Sequence, residues 1–137
     1  MLTELTADGG VATVVIASER MPLGSAITLA LLFVASGTVV ALLSAKLANQ
    51  TVGRNRLMGL RLPSTMRSDA AWQAGQQAFA PFGIAAGLGA GLLGAALLLR
   101  PTRGVAITIA SAASIWLVVL PAIGAFLGDL AAKDAAD

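Results

Sequence analysis

Three long runs without a charged residue, Met21 to Ala45, Ala70 to Leu99 and Gly104 to Gly128, restrict this chain more than any other feature. Each exceeds the roughly 20 residues that a helix needs to cross about 30 Å of hydrocarbon. Within lipid each backbone polar group must be paired inside its own segment, so an apolar run of this length is expected to be a helix. The composition agrees: 57% of residues are hydrophobic and 12% charged, with a mean hydropathy of +0.84. A soluble domain carries about 25% charged residues. The expected fold is an all-α membrane protein with three transmembrane helices, near residues 22–46, 78–99 and 104–128. Trp72, Gln73, Gln76 and Gln77 are too polar for the bilayer centre, so the start of the second run is read as an interfacial helical extension beginning near Ser68.

The domain reading follows. Residues 1–20 form an extramembrane N-terminal tail, 21–128 the three-helix membrane domain, and 129–137 a short polar C-terminal tail. The first segment opens with Glu4 and Asp8 and holds only eight apolar or small residues, Val11 to Ser18, before Glu19. Eight residues cannot span, and an acidic start is unlike the positive start of a signal peptide.

The residue inventory excludes much chemistry. There is no cysteine and no histidine, so thiolate nucleophiles, disulfides and the commonest general base and metal ligand are all missing. None of the seven acidic residues lies inside an apolar run. No catalytic residue, metal site or cofactor is expected, and the protein is read as a non-enzyme. The absence of tyrosine also argues against nucleic acid held by aromatic stacking.

Five of the nine basic residues, Lys46, Arg54, Arg56, Arg61 and Arg67, cluster between the first two runs. With Lys133 they put six basic residues on one side of a three-span topology, against Arg20, Arg100 and Arg103 on the other. Positive residues concentrate in cytoplasmic flanks. The hinge between the first two spans is therefore expected in the cytoplasm, in a multi-pass protein of the cell membrane.

Inside the spans, Gly83, Gly87 and Gly91 make a four-residue stripe, and Gly124 and Gly128 repeat the spacing in the third run. Such stripes let two helix backbones approach closely. They suit packing within the chain, the favoured reading, and leave a homo-oligomer open as the other. Pro81 and Pro121 each remove one intrahelical hydrogen bond. No ionisable residue accompanies either proline, as an ion relay would need. Trp116 lies mid-span, so its indole N–H is expected to find a carbonyl or hydroxyl on a neighbouring helix.

Lipid does not explain the hinge. Asp69 suits the positive end of a helix capped at Ser68 or Thr65, Trp72 suits an interfacial anchor, and the arginines suit a topology signal. Asn55, Gly59, Pro63, Thr65 and Gly75 have no such reason to be present. The candidate binding or conformational residues are thus Asn55, Arg56, Gly59, Arg61, Pro63, Thr65, Arg67, Asp69 and Trp72. Arg56, Arg61, Arg67 and Asp69 are expected to form one polar cluster at the mouth of the bundle, with Arg61 folded across the Pro63 turn onto Asp69.

Arg54-Asn55, Gly59-Leu60-Arg61-Leu62-Pro63-Ser64-Thr65, Ser68-Asp69 and Trp72-Gln73-Ala74-Gly75 together resemble the hallmark motif of the SdpI/YfhL family. The register agrees without a gap. Two positions depart from it: Leu62 stands where threonine is common, and Gln76 where histidine or asparagine is often found. The resemblance implies three membrane helices over residues 21 to about 128, with the motif linking the first two. It further implies a role in immunity to, or sensing of, membrane-active peptide toxins, with the lipid bilayer, a peptide toxin or another membrane protein as partners. The alternative is a structural accessory subunit of a larger membrane complex.

Overall fold

The computed structural model describes residue 10 and residues 18–135. The expected tail at 1–20 falls largely outside the described residues. Three helices carry the fold: α1 (Leu23–Ala48), α2 (Asp69–Ala96) and α3 (Arg103–Asp134). All three are long and apolar enough to cross a membrane. The chain is an all-α membrane protein, as its apolar runs require.

Each helix boundary has a local cause. Pro22 precedes α1, where its missing N–H is no loss because the first turn has no acceptor for it. Ser68 caps α2: its Oγ accepts from the Ala71 N–H at 3.0 Å, and Asp69 follows at the positive end of the helix dipole. The interfacial extension is thus continuous with the spanning part of α2. A 3-10 turn, Leu97–Leu99, ends that helix, and Arg100 takes a left-handed conformation at φ 53°. Pro101 follows, and Thr102 caps α3. The reversal is therefore completed in a few residues. Both α2 and α3 continue through their internal prolines, Pro81 and Pro121.

The three helices form a layer with α2 in the middle, and α1 and α3 scarcely meet. Glycine makes this close stacking feasible. A Cβ on Gly87 would fall inside the Gly37 carbonyl oxygen of α1 and stand 2.7 Å from the Ala41 nitrogen. On the other side, a Cβ at Gly124 of α3 would stand 2.8 Å from the Phe82 Cβ, and one at Gly128 would stand 2.9 Å from the Gly75 carbonyl oxygen. Trp116 lies over Gly89 and donates its indole N–H to the Ala85 carbonyl at 3.0 Å, as its mid-span position demands. Most large side chains point outward, toward lipid: Leu31, Leu92, Ile107, Val118 and Phe126 are all exposed.

The two ends of the layer are closed differently. At one end Glu19, Arg20 and Met21 pair with the α2–α3 reversal: the Met21 N–H donates to the Pro101 carbonyl at 3.0 Å and the Arg103 N–H to the Glu19 carbonyl at 2.7 Å. Arg103 adds an ion pair to Glu19 at 3.4 Å. At the other end the hinge lies across α2 and reaches α3. Instead of ending near Gly128, α3 continues as helix through Asp134 and brings Asp129 and Lys133 to the hinge.

Candidate functional site

The hinge, residues 49–68, is held by side chains rather than by regular backbone pairing. Where α1 stops, its last carbonyls would be left open. Gln73 of α2 donates from Nε2 to the Ala48 carbonyl at 2.8 Å, and the Thr51 hydroxyl donates to the Lys46 carbonyl at 2.6 Å. Asn55 then makes a tight turn, its Oδ1 accepting from the N–H groups of Leu57 at 2.9 Å and Met58 at 2.8 Å. An asparagine side chain can mimic a backbone turn in this way.

Next, Gly59 adopts φ 94°, a conformation that other residues rarely take. A Cβ there would also press on the Trp72 ring at 3.0 Å and the Gln76 amide at 3.1 Å. The close approach has a purpose. Gln76, buried in α2, grips one residue of the hinge by both backbone groups: Oε1 accepts from the Leu60 N–H at 3.1 Å and Nε2 donates to the Leu60 carbonyl at 3.0 Å. Thr65, fully buried, stands close to the same segment, its hydroxyl oxygen 2.8 Å from the Leu60 carbonyl and 2.9 Å from the Leu62 N–H that it accepts. Pro63 opens the turn that brings Thr65 back, and the Met66 N–H closes it on the Leu62 carbonyl at 3.1 Å.

The far edge of the hinge is tied to α3. Buried Ser64 donates to Asp129 Oδ1 at 2.5 Å, and Lys133, one turn on, pairs with Asp129 Oδ2 at 2.6 Å. The near edge is tied to the start of α2, where Arg54 Nε pairs with Asp69 at 3.2 Å and Arg54 Nη1 donates to the Met66 carbonyl at 2.8 Å. One arginine thus joins two segments of the hinge to the helix that follows them.

Between α1's end and α2's start lies a cleft of about 590 Å³, lined by Gln50, Gly53, Arg54, Asp69, Trp72 and Gln73. It combines an ion pair, a primary amide and an indole. Trp72 is only 1% exposed, and its Nε1–H has no hydrogen-bond partner among the described residues. A buried donor without an acceptor is costly, and the Trp72 residue that carries it is part of the cleft's lining. The partly exposed Arg54 guanidinium gives the cleft a hydrogen-bond donor suited to oxygen acceptors. No group of three or more His, Cys, Asp or Glu residues able to hold a metal occurs among the described residues.

Several expected site residues do come together: Asn55, Gly59, Pro63 and Thr65 build the turn structure, and Trp72 lies beneath it. Three expectations need correction. Asp69 pairs with Arg54 instead of Arg61. The Thr65 hydroxyl folds the Pro63 turn back on Leu60, and Arg61 instead donates to the Arg56 carbonyl. Accordingly the single cluster of Arg56, Arg61, Arg67 and Asp69 is not formed; Arg56, Arg61 and Arg67 remain on the exposed surface. Trp72 is no lipid-facing anchor, because the hinge lies back over its face of α2.

Among the glycines, Gly83, Gly87, Gly124 and Gly128 face other parts of the chain. Gly91 differs: a Cβ there would meet nothing within 4 Å among the described residues. Sequence reasoning missed Arg54, Ser64, Gln73, Gln76 and Asp129 as site residues. Gln73 and Gln76 carry a signal in the sequence, since amides in an apolar run need partners, but the same polarity equally suits a position at the membrane interface.

The SdpI/YfhL protein family model matches residues 51–129, from Thr51 in the hinge to the aspartate that accepts from Ser64. No curated protein and no solved structure matches the chain. The matched span includes the Asn55 turn, the Gln76 clasp, the Ser68 cap, all of α2 and α3 as far as Asp129, and it covers more than half of the sequence: the chain belongs to the SdpI/YfhL family.

Proposed function

We propose that this protein acts, without catalysis, in immunity to or sensing of membrane-active peptide toxins, from the cell membrane and with its hinge on the cytoplasmic side. The observation that carries this reading is the cleft between α1 and α2, lined by Arg54, Gln73 and Trp72, the last with a buried indole N–H that lacks a partner among the described residues. A peptide has what such a cleft can bind: backbone carbonyls and a terminal carboxylate as acceptors, and apolar side chains for the surrounding lipid-facing helices. Arginine's planar fork favours carboxylate recognition over a point charge. Family membership supports the same reading, and the excess of basic residues at the hinge end supports its orientation. The alternative, an accessory subunit, would use small-residue helix faces to pack against a partner, and Gly83, Gly87, Gly124 and Gly128 are occupied by the chain's own packing.

The test is survival of cells expressing Trp72→Phe, Arg54→Gln or the unaltered chain during challenge with a membrane-active peptide, with membrane abundance measured by immunoblot. Loss of protection at normal abundance is expected for both variants. Full protection by both would remove the cleft from the function. Co-purification of stoichiometric partner proteins in mild detergent, together with full protection, would favour the accessory role.

A further inference from the structure

The outer side of the hinge has a composition that its inner packing does not use. Leu57 is 86% exposed and Met58 44% exposed, and exposed Arg56 and Arg61 stand on either side of them in sequence. From Lys46 to Ser68 there are five basic residues and no acidic one. The apolar pair is held in place: Asn55 fixes both backbone N–H groups, and the Arg61 guanidinium donates to the Arg56 carbonyl across the turn.

The depth of this turn follows from its neighbours. Leu60 is clasped by Gln76, two turns into α2, or about 10 Å from the start of that helix at 1.5 Å per residue. Gly59 and Leu60 also border a recess of about 250 Å³ with Val40, Leu43, Ser44 and Leu47. Those residues belong to the last turns of α1, around and before Lys46, where the apolar run gives way to charge. The hinge therefore folds back alongside the helices to the level at which acyl chains meet headgroups. Exposed leucine and methionine beside arginine suit that boundary: the apolar side chains enter the acyl region while the guanidinium groups remain at the phosphates.

We propose that Leu57 and Met58 form a lipid-inserted tip, and that Arg56 and Arg61 bind the phosphates of anionic phospholipids in the leaflet it enters. This site is separate from the cleft around Trp72 and does not depend on toxin recognition.

The chain has no cysteine, so single cysteines can be introduced without altering others. Full-length Leu57→Cys and Thr51→Cys proteins, each spin-labelled, would be reconstituted in vesicles of phosphatidylcholine alone and of phosphatidylcholine with phosphatidylglycerol at 7:3. The label at 57 should collide more with dissolved oxygen than with an aqueous nickel chelate, and the label at 51 should show the reverse. Spin-labelled lipids then measure the preference for phosphatidylglycerol over phosphatidylcholine. Arg56→Gln and Arg61→Gln should each reduce it by up to roughly fivefold, the effect of one basic residue near an anionic surface. The double lysine variant should retain most of it. A label at 57 that favours the nickel chelate overturns the inserted tip, and equal lipid preference in the original and double glutamine proteins overturns the arginine assignment. Loss of the preference on adding inorganic phosphate at constant ionic strength would mark a soluble-anion site and also overturn the lipid assignment.

Discussion

Gln76 does with one side chain what a paired strand would do with backbone. It satisfies both hydrogen-bonding groups of Leu60 from inside α2, and its own amide is buried in doing so. Gln76→Leu should therefore destabilise the protein by about 1–3 kcal/mol, since two backbone groups lose their partner at once. Gln77→Leu, one position on and exposed, should have little effect. Thermal unfolding in detergent, followed by circular dichroism, compares the two directly. Gly59→Ala is expected to cost about 1–2 kcal/mol, because its backbone conformation penalises any Cβ, and that atom would also press on Trp72 and Gln76. The same melts would check it, with Gly53→Ala, in open space, as the neutral control. These residues were only partly legible in the sequence. Gly59 is conspicuous because lipid gives no reason for it. Gln76 is visible as a polar residue in an apolar run, but whether it faces headgroups or a folded loop depends on where the hinge lies, and no local periodicity encodes that.

At the scale of the helices, the glycine stripe divides into working and idle positions. Gly87 meets the Gly37 backbone, whereas Gly91 projects into open space one turn later. Gly87→Ala should lower the melting temperature in detergent clearly, by an amount corresponding to about 1–3 kcal/mol of overpacking, while Gly91→Ala should be neutral or slightly stabilising through helix propensity. Equal melting temperatures would count against the α1–α2 crossing. The three apolar runs revealed the helices because span length is dictated by bilayer thickness alone. The start of α2 is readable at Ser68, where capping chemistry is local. The continuation of α3 to Asp134 is not, because Asp129 and Lys133 look like an ordinary charged tail until Ser64, distant in sequence, supplies the contact.

For the whole molecule, the hinge and the end of α3 share one end of the layer, and residues 19–21 share the other with the α2–α3 reversal. Impermeant thiol labelling should reach Thr51→Cys and Ala135→Cys from one side of the membrane and Arg100→Cys from the opposite side. Labelling of all three from the same side would contradict the three-span topology. The central position of α2 also has a bearing on how the protein is made. During synthesis α1, the hinge and α2 emerge before α3, and the Gln73 and Gln76 contacts lie wholly within that portion. Ser64 must wait for Asp129, 65 positions later. A ribosome-bound chain truncated after Arg100 can thus close every amide clasp of the hinge and still lack its last latch, so insertion of the third helix becomes the event that completes the site.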